Sequence, residues 1–314
     1  MVKVSICIPV FNVEKFIEKS CRSLFEQTYP NIEYIFVDDC SQDDSINILQ
    51  KTLNDYPDRK ESVKIVRHNE NKGLAAARNT GLYNSCGDYI MHIDSDDYID
   101  TCMIQDFVNT AIREEADMVI CNFQLEYGNK SIKQNHQYLQ NKNDYIGLLL
   151  KRKAIVSIVA RLIKRSVFEK MNVVSVENIN TGEDYVTTPR ICYYCNKIVK
   201  VDKEYYHYVK SNTSSYTHII TKKSIDDVLN ANKILVSFFS NKIDNKVLED
   251  CKLINKICLL HVAAKGEYLS YVCSQYKDIA IWKSDLGLLK KILLQLSLWK
   301  FYFLIKLFFS FKRK

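Results

Sequence analysis

Three aspartates stand together in the segment DYIMHIDSDDYID, residues 88–100. The almost wholly apolar run 89–93 predicts a strand that leads directly into Asp94, Asp96 and Asp97. Carboxylates crowded at a strand end repel one another, so a cation or solvent must offset their charge. On an extended segment, Asp94 and Asp96 would point the same way and could share one Mg²⁺ or Mn²⁺, with phosphates and water as further ligands. An acidic loop that caps the next helix is the alternative.

Two further segments carry groups suited to binding a nucleotide. VDDCS places Asp38 and Asp39 at a second predicted strand end, where a carboxylate could accept a base N–H or a ribose hydroxyl. A turn followed by a helix cap would also explain that pattern. NKGLAAARN supplies Gly73 for a tight approach, small alanines for close packing, and Arg78 one turn into a helix. Arg78 could pair with a carboxylate or a phosphate, or form a solvated salt bridge.

Alternating strands and helices must position these groups. Strands are predicted at 4–10, 32–37, 63–66, 89–93 and 118–123, and helices at 14–27, from a Ser41–Asp44 capping box to about residue 55, at 73–86 and at 103–115. This order predicts a mostly parallel, doubly wound α/β sheet. PVFN, DDCSQDD, RHNENKG and DSDD then follow the carboxyl ends of the first four strands, the edge at which open α/β sheets bind ligands.

The polar segments resemble a known family. VSICIPVFNVEKFIEKSCRSLFEQTYPNIEYIFVDDCSQDDS, NKGLAAARNTGL and GDYIMHIDSDDY are similar in identity, order and spacing to the successive blocks of family 2 glycosyltransferases. ARLIKRSVFEK, NTGEDYVTTPR and EYYHYVKSNTSS continue the resemblance to about residue 216. The resemblance implies the GT-A fold. It also implies transfer of a sugar from a nucleotide diphosphate donor to an acceptor hydroxyl, with inversion at the anomeric carbon.

The resemblance also implies roles for individual residues. Asp94 and Asp96 would hold Mn²⁺ or Mg²⁺, with Asp96 as the direct ligand, and Asp184 of the GED segment would be the general base. A helix-capping role is the alternative for GED. UDP is the expected nucleotide, the expected acceptor is a surface glycan or lipid-linked glycan, and no nucleic acid is expected as a partner. The implied nucleotide-sugar site consists of Pro9, Val10, Phe11, Asn12, Glu14, Asp39, Lys72, Arg78, Asp94 and Ser95.

The sequence departs from the family pattern in places. Val209 and Lys210 stand near the position where non-processive members often have Tyr-Tyr-Arg, so Lys210 or His207 could replace a diphosphate contact. Phe11 stands where tyrosine is common. The absence of a QxxRW motif argues against a polymerising enzyme, so we expect one sugar per acceptor.

Other enzyme classes fit the order of the motifs less well. A phosphatase of the haloacid dehalogenase type has its D-x-D after the first strand, where this chain has PVFN. A nicotinamide enzyme would have GxGxxG at that point. A relative that keeps the fold and binds nucleotide sugar without catalysing transfer remains the alternative.

The carboxyl-terminal end is basic and apolar. Residues 286–314 contain seven of the 44 Lys and Arg and no acid, so the remaining residues carry 37 charges of each sign. The run 292–311 is long enough to span a bilayer, but Lys300 and Lys306 make spanning marginal. Lying in the membrane interface would let both lysines reach the headgroups, whereas a buried core helix is the alternative.

These patterns predict three regions and a location. We expect a GT-A domain over 1–216, a helical region over 217–285 and a membrane-associating tail over 286–314. The amino terminus lacks the pattern of a signal peptide, and eleven cysteines without a disulfide framework suggest reduced thiols. The expected location is therefore the cytoplasm, at the inner face of the cell membrane.

Overall fold

A computed structural model of the chain describes residues 1–171, 175–211, 221–277 and 279–311. Two sheets and twelve helices make up this part of the chain. Its strands are β1 (Val4–Val10), β2 (Ile32–Asp38), β3 (Val63–Arg67), β4 (Tyr89–His92), β5 (Tyr98–Ile99), β6 (Met118–Ile120), β7 (Phe123–Tyr127), β8 (Lys130–Gln134), β9 (Arg161–Lys164), β10 (Ile198–Lys200) and β11 (Tyr206–Val209). Its helices are α1 (Ile17–Phe25), α2 (Ser45–Leu53), α3 (Leu74–Tyr83), α4 (Met103–Arg113), α5 (Lys142–Leu150), α6 (Arg165–Glu169), α7 (Glu183–Tyr194), α8 (Lys222–Phe239), α9 (Asn245–Ala263), α10 (Leu269–Ser274), α11 (Leu288–Leu298) and α12 (Tyr302–Phe311).

The larger sheet has seven strands in the order β10-β6-β9-β4-β1-β2-β3. Strand β1 pairs in parallel with β2 and β4, β2 pairs in parallel with β3, and β9 runs antiparallel between β4 and β6. Every residue of β1 is buried, as a central parallel strand requires. The mostly parallel α/β sheet predicted from the sequence is confirmed. Chain order reverses beside β1, so the switch point of the sheet lies between β1 and β4.

The predicted fifth strand is wrong in its extent. Strand β6 ends at Ile120, and Phe123 begins β7, which belongs to a second sheet ordered β5-β11-β7-β8. The buried Asn122 separates the two strands. Its amide nitrogen donates to Asp202 at 2.8 Å, and its oxygen accepts the His136 backbone N–H at 2.9 Å. A polar side chain bonded in this way interrupts the predicted strand 118–123, although the residues around it are apolar.

The predicted capping box at Ser41 and Asp44 is also wrong. Helix α2 begins at Ser45, and Asp44, the residue before it, makes no side-chain cap hydrogen bond. Asp43 takes that place: its Oδ1 accepts the Ser45 backbone N–H at 3.1 Å. Ser41 instead donates its own N–H to Asp38 at 2.8 Å, so it belongs to the turn that leaves β2.

Helices α8 to α12 form the carboxyl-terminal region, and α8 to α10 lie within the range 217–285 that the sequence predicts to be helical. The five helices enclose a second apolar core that includes Leu229, Leu253, Leu260 and Val272. The apolar run 292–311 is not one helix, because α11 and α12 are separated at Lys300, whose φ is 59°. Within the described ranges, the structure contains no helix that combines the length and the apolar character needed to cross a membrane. The predicted boundary at 216/217 lies outside the described residues.

Candidate active site

The loops that leave β1, β2, β3 and β4 meet at one edge of the larger sheet. Val10 pairs with Asp38, which in turn pairs with Arg67, so the first three strands end at the same level. The loops are also joined by backbone hydrogen bonds, because Asp39 N–H donates to Val10 C=O at 2.9 Å and His68 N–H donates to Asp38 C=O at 2.9 Å. The predicted convergence of the polar segments is therefore confirmed.

The segment that carries the aspartates after β4 forms a turn. Asp97 N–H donates to the Asp94 carbonyl at 3.1 Å, so the predicted extended conformation is wrong. Asp94 and Asp96 are nevertheless alike in being partly exposed, whereas Ser95 and Asp97 are buried. The turn thus presents two of the three aspartates at the edge of the sheet.

Asp97, the third aspartate, holds the turn against the second sheet. Its Oδ2 accepts from the Tyr206 hydroxyl at 2.6 Å, and its Oδ1 accepts the Val209 N–H at 2.8 Å. Burial raises the pKa of Asp97 well above its usual range, and repulsion by Asp96 and Asp94 adds to the shift. This carboxyl group fixes the position of its neighbours and lies out of reach of a ligand.

Arg78 of α3 connects the aspartate turn to the start of α7. The guanidinium lies 3.0 Å from Asp94, 3.2 Å from Glu183 and 2.5 Å from Asp184. The side chain is only 2% exposed, so a solvated salt bridge is ruled out. Of the two partners considered for Arg78, the structure shows the carboxylates. The guanidinium carries one charge against three acidic groups, so the cluster is short of positive charge.

Asp184 lies in the first turn of α7, after Gly182, whose φ of 86° suits glycine. One carboxylate oxygen accepts from Arg78, and the other accepts from the Ser157 hydroxyl at 2.9 Å. Burial raises the pKa of Asp184, while Arg78 and the Ser157 hydrogen bond act in the opposite direction. The two donors thus stabilise the ionised form, which is the form able to accept a proton.

Glu183 is the second buried carboxyl group beside Arg78. Burial and the neighbouring charge of Asp184 raise the pKa of Glu183 to about 8, against the lowering effect of Arg78. Because the pKa of Asp184 is raised as well, the two adjacent carboxyl groups titrate as a coupled pair and can share a proton at neutral pH.

Asp39 shapes the loop before α3. Its carboxylate accepts the backbone N–H groups of Lys72 and Gly73, both at 2.8 Å, and lies 2.7 Å from His68 Nδ1. Gly73 has a φ of 86°, and a Cβ at this position would collide with Asn180. Asp39 is buried and already holds three protein groups, so its role in positioning the loop is visible in the structure.

The residues after β1 differ in what they can offer a ligand. Pro9 and Val10 are buried, so only their backbone faces the edge, whereas Phe11 is partly exposed and Asn12 is exposed. Asn12 has a φ of 52°, and its side-chain oxygen accepts the Gln42 N–H at 2.8 Å. The exposed Glu14 accepts the Asp44 N–H at 3.2 Å.

The two candidate substitutes for the family arginine lie in different settings. His207 stacks on Tyr98 with ring centroids 4.3 Å apart, and its nitrogens lie 2.8 Å from Glu126 and 2.9 Å from Asp100. Lys210 is exposed, with its ammonium 4.0 Å from the centre of the Tyr208 ring. Lys72 is also exposed. Lys210 is therefore better placed than His207 to meet an anionic ligand.

Ser157 was missed by the sequence reasoning. It lies in the loop before β9, and Arg161 holds that loop by donating to the carbonyls of Ser157 at 2.7 Å and Ile155 at 2.6 Å. Arg161 is buried, and its guanidinium also donates to the Tyr145 hydroxyl at 2.9 Å. The segment AIVSIVARL has no recognisable motif, so only the folded chain reveals that Ser157 reaches Asp184.

The carboxylates at this edge fit a metal ion only together with a substrate. In the described ranges, no three His, Cys, Asp or Glu side chains are grouped so that they could hold a metal. Asp94 and Asp96 offer two carboxylates, and Mg²⁺ commonly takes one or two protein carboxylates and completes its shell with phosphates and water. The residues therefore fit an ion that binds with a diphosphate.

Comparison with known proteins places the chain. Residues 5–171 match the model of Glycosyl transferase family 2. The chain is 30% identical over 233 residues to the uncharacterized glycosyltransferase EpsJ of Bacillus subtilis, an alignment that covers 72% of this chain and 66% of EpsJ. It spans 35% of a longer streptococcal glycosyltransferase. The residues matched by the family model include the four loops described above.

Solved structures share the fold. The structure of Staphylococcus aureus TarS 1–349 with UDP-GlcNAc superposes with a TM-score of 0.66 at 17% identity, covering 99% of this chain and 91% of TarS 1–349. A mannosyltransferase from Pyrobaculum calidifontis, solved with GDP-Man and Mn²⁺, gives 0.53 at 15% identity and covers 100% of this chain and 88% of that one. At these identities the likeness establishes the GT-A fold alone. The match of residues 5–171 to the family model shows that this chain belongs to the family 2 glycosyltransferases.

Proposed function

We propose that this glycosyltransferase moves one sugar from a UDP-sugar to a hydroxyl of a cell-surface polysaccharide or glycolipid, with inversion at the anomeric carbon. The observation that carries the proposal is the buried Arg78, which joins Asp94 of the turn after β4 to Asp184 of α7. One rigid group thus links the carboxylates of a diphosphate site to a candidate base.

Asp94 and Asp96 would hold Mn²⁺ or Mg²⁺ on the diphosphate. When bound, the ion would neutralise the negative charge that develops on the departing nucleoside diphosphate. The pairing of Asp94 with Arg78 restrains that carboxylate, and the contacts of Asp97 with Tyr206 and Val209 restrain the turn. Little reorganisation is then needed when donor and ion bind.

Asp184 would remove the proton from the acceptor hydroxyl as the hydroxyl oxygen attacks the anomeric carbon from the side opposite the diphosphate. Arg78 and Ser157 favour the ionised form of the Asp184 carboxyl group against the effect of its burial, and their hydrogen bonds fix its direction. Ser157 and Arg78 are positioning residues in this scheme. The raised pKa of Glu183 keeps a second charge out of the same space.

The choice of nucleotide rests on the shared fold, and the remaining donor contacts rest on the position of the residues at the edge of the sheet. UDP is supported by the UDP-GlcNAc complex of TarS, which shares the fold. Phe11, Asn12, Glu14, Lys72 and the backbone of Pro9 and Val10 would surround the nucleotide, because they border the edge that carries Asp94. Ser95 is buried, so its contribution would come through the backbone. Asp39 would act by holding the loop of Lys72.

A screen of nucleotide sugars tests the proposal. The full-length protein is incubated with UDP- and GDP-sugars, with Mn²⁺, Mg²⁺ or a chelator, and release of the nucleoside diphosphate is followed. We expect slow hydrolysis of a UDP-sugar that depends on the metal. A protein that binds the same donor with metal, but neither hydrolyses nor transfers the sugar with any acceptor tested, would instead be a binding-only relative.

A further inference from the structure

The two last helices each have a buried and an exposed apolar side. Leu293 and Leu294 of α11 and Ile305 and Phe309 of α12 are buried in the second core, so this side attaches the helices to the body. A membrane span or a detached tail would not bury these four side chains inside the protein. The same two helices carry large apolar side chains on their remaining surface.

The exposed side of these two helices, together with Trp282 and the residues between the helices, is here named the tail face, and it is unusually apolar. Of the fifteen exposed large apolar side chains among the described residues, nine lie between 282 and 307. They are between 40% and 76% exposed, whereas monomeric proteins rarely expose contiguous apolar patches of more than a few hundred Å². The tail face consists of Trp282, Leu288, Leu289, Ile292, Trp299, Phe301, Phe303, Leu304 and Leu307.

Lysines outnumber acids around the tail face. Lys290, Lys291, Lys300 and Lys306 lie among its residues, and none of the four is in an ion pair within the described part of the chain. Lys291 donates to the Trp282 carbonyl at 3.3 Å. Asp285 is the one acid of the sequence between Trp282 and Leu307, and it pairs with Lys246 at 2.8 Å, while Lys291 also helps to lower its pKa. Apolar area with a net positive border complements a surface that is apolar inside and anionic outside.

We infer that the tail face lies flat on an anionic lipid bilayer. Its apolar side chains would enter the boundary between headgroups and acyl chains, and its lysines would reach the phosphates. Trp299 lies at the break between the helices, and tryptophan is favoured at this depth of a membrane. The inference is independent of the proposed transfer reaction, and it suits an acceptor that is itself anchored in lipid.

Two other occupants fit the structure less well. A spanning arrangement would require a long continuous helix, whereas α11 ends at Leu298 and α12 begins at Tyr302. A symmetric dimer formed through the tail face would gather the lysines of both subunits in one interface, because a two-fold interface uses the same surface on both subunits. Like charges placed in this way oppose association, whereas anionic lipid attracts them.

Vesicle co-sedimentation of the full-length protein tests the inference. We expect binding to vesicles of phosphatidylcholine with about one third phosphatidylglycerol, and at least tenfold weaker binding to phosphatidylcholine alone, since each cation contributes roughly fivefold. High salt should weaken the binding. Failure to bind the anionic vesicles at low salt would overturn the inference.

Single substitutions localise the contact. Phe303→Glu and Leu289→Glu replace side chains that are 76% and 66% exposed, so folding should be retained, and each should weaken vesicle binding at least tenfold while donor hydrolysis is unchanged. Ile112→Glu, at a 57% exposed position of α4, is the matched control and should bind as the unchanged protein does. Vesicle binding by Phe303→Glu and Leu289→Glu as strong as that of Ile112→Glu and of the unchanged protein would refute the assignment. A dimer in sedimentation velocity that Phe303→Glu dissociates, without vesicle binding, would identify a self-association surface instead.

Discussion

Replacing Arg78 by methionine should lower the free energy of unfolding by about 3–5 kcal/mol, the range observed when one partner of a buried ion pair is removed. Methionine has a similar length and leaves no donor, so the substitution isolates the charge and its hydrogen bonds. The guanidinium is 2% exposed and contacts Asp94, Glu183 and Asp184, so its loss leaves three acidic groups without a cation.

Protonation of the carboxylates limits how large this loss of unfolding free energy can be. An unpaired buried carboxylate can take up a proton instead of remaining charged, at about 1.36 kcal/mol for each unit by which the pH exceeds its unfolded pKa. At pH 7 and an unfolded pKa of about 4, that is about 4 kcal/mol per newly protonated group. The pKa of Glu183 is already raised to about 8, so the additional cost falls on Asp184, the other buried carboxyl group whose pKa is raised.

The loss of stability in Arg78→Met should increase with pH. Without Arg78, the pKa values of Glu183 and Asp184 in the folded state rise further above their unfolded values. A group of this kind contributes stability that is present below its unfolded pKa and is lost as the pH rises toward the folded pKa. The difference in unfolding free energy between the native protein and the variant should therefore be small near pH 4 and should grow toward pH 8.

Urea unfolding between pH 4 and pH 8 measures both effects. Arg22→Met is the matched control, because Arg22 contacts two carboxylates at 2.9 and 3.0 Å with its side chain 40% exposed. Exposed pairs contribute about 0–1 kcal/mol, so this control should change stability little. A loss of less than 1 kcal/mol in Arg78→Met, or a loss that does not grow with pH, would refute the reasoning.

Three further predictions concern single groups. Asp96→Asn should keep the fold and lower metal-dependent transfer by about 10³-fold, and full activity of this variant after chelator treatment would exclude a metal role for Asp96. Ser157→Ala removes a hydrogen bond to ionised Asp184, so the acidic limb of the kcat/KM profile should move to higher pH; an unmoved limb would separate Ser157 from the base. Neither ring nitrogen of the buried His92 has a hydrogen-bond partner among the described residues, and burial lowers its pKa to about 3, so stability should fall as the pH drops below about 6.5. His92→Leu should reduce that fall in urea unfolding at pH 4 to 7, whereas an identical pH dependence in the variant would be evidence against the assignment.

The sequence predicted five strands of the larger sheet, most clearly those that are apolar runs, and it missed the short strands β9 and β10. Val4–Val10 is buried throughout, and such a run has few alternatives to a central parallel strand. Convergence of the polar loops then followed from topology alone. Errors arose where a single polar contact decided the outcome: Asn122 ends β6 through contacts with residues far along the chain, and Asp43 caps α2 in place of Asp44.

The same limit applies to the candidate site. The D-x-D pattern and the family resemblance together implied roles for Asp94, Asp96 and Asp184, but they left open whether Arg78 meets a carboxylate or a phosphate. That choice depends on where α7 lies relative to α3, which is a tertiary contact across 106 residues. Ser157 has no local pattern at all. In the tail, composition predicted an apolar basic segment, whereas the break at Lys300 depends on burying Leu294 and Ile305 against α8 to α10.

Asp184→Asn gives the most direct test of the central claim, that Asp184 is the base of an inverting sugar transfer. The amide keeps the size of the side chain and can still meet Ser157, but it cannot accept the acceptor proton. Calorimetry with UDP and a transfer assay with the donor found in the screen should be run on this variant and on Glu183→Gln. We predict UDP affinity within about twofold of the unchanged protein and a transfer rate lowered by about 10²–10⁴-fold in Asp184→Asn only. A transfer rate within tenfold of the unchanged protein, or a loss of UDP affinity that matches the loss of rate, would contradict the claim.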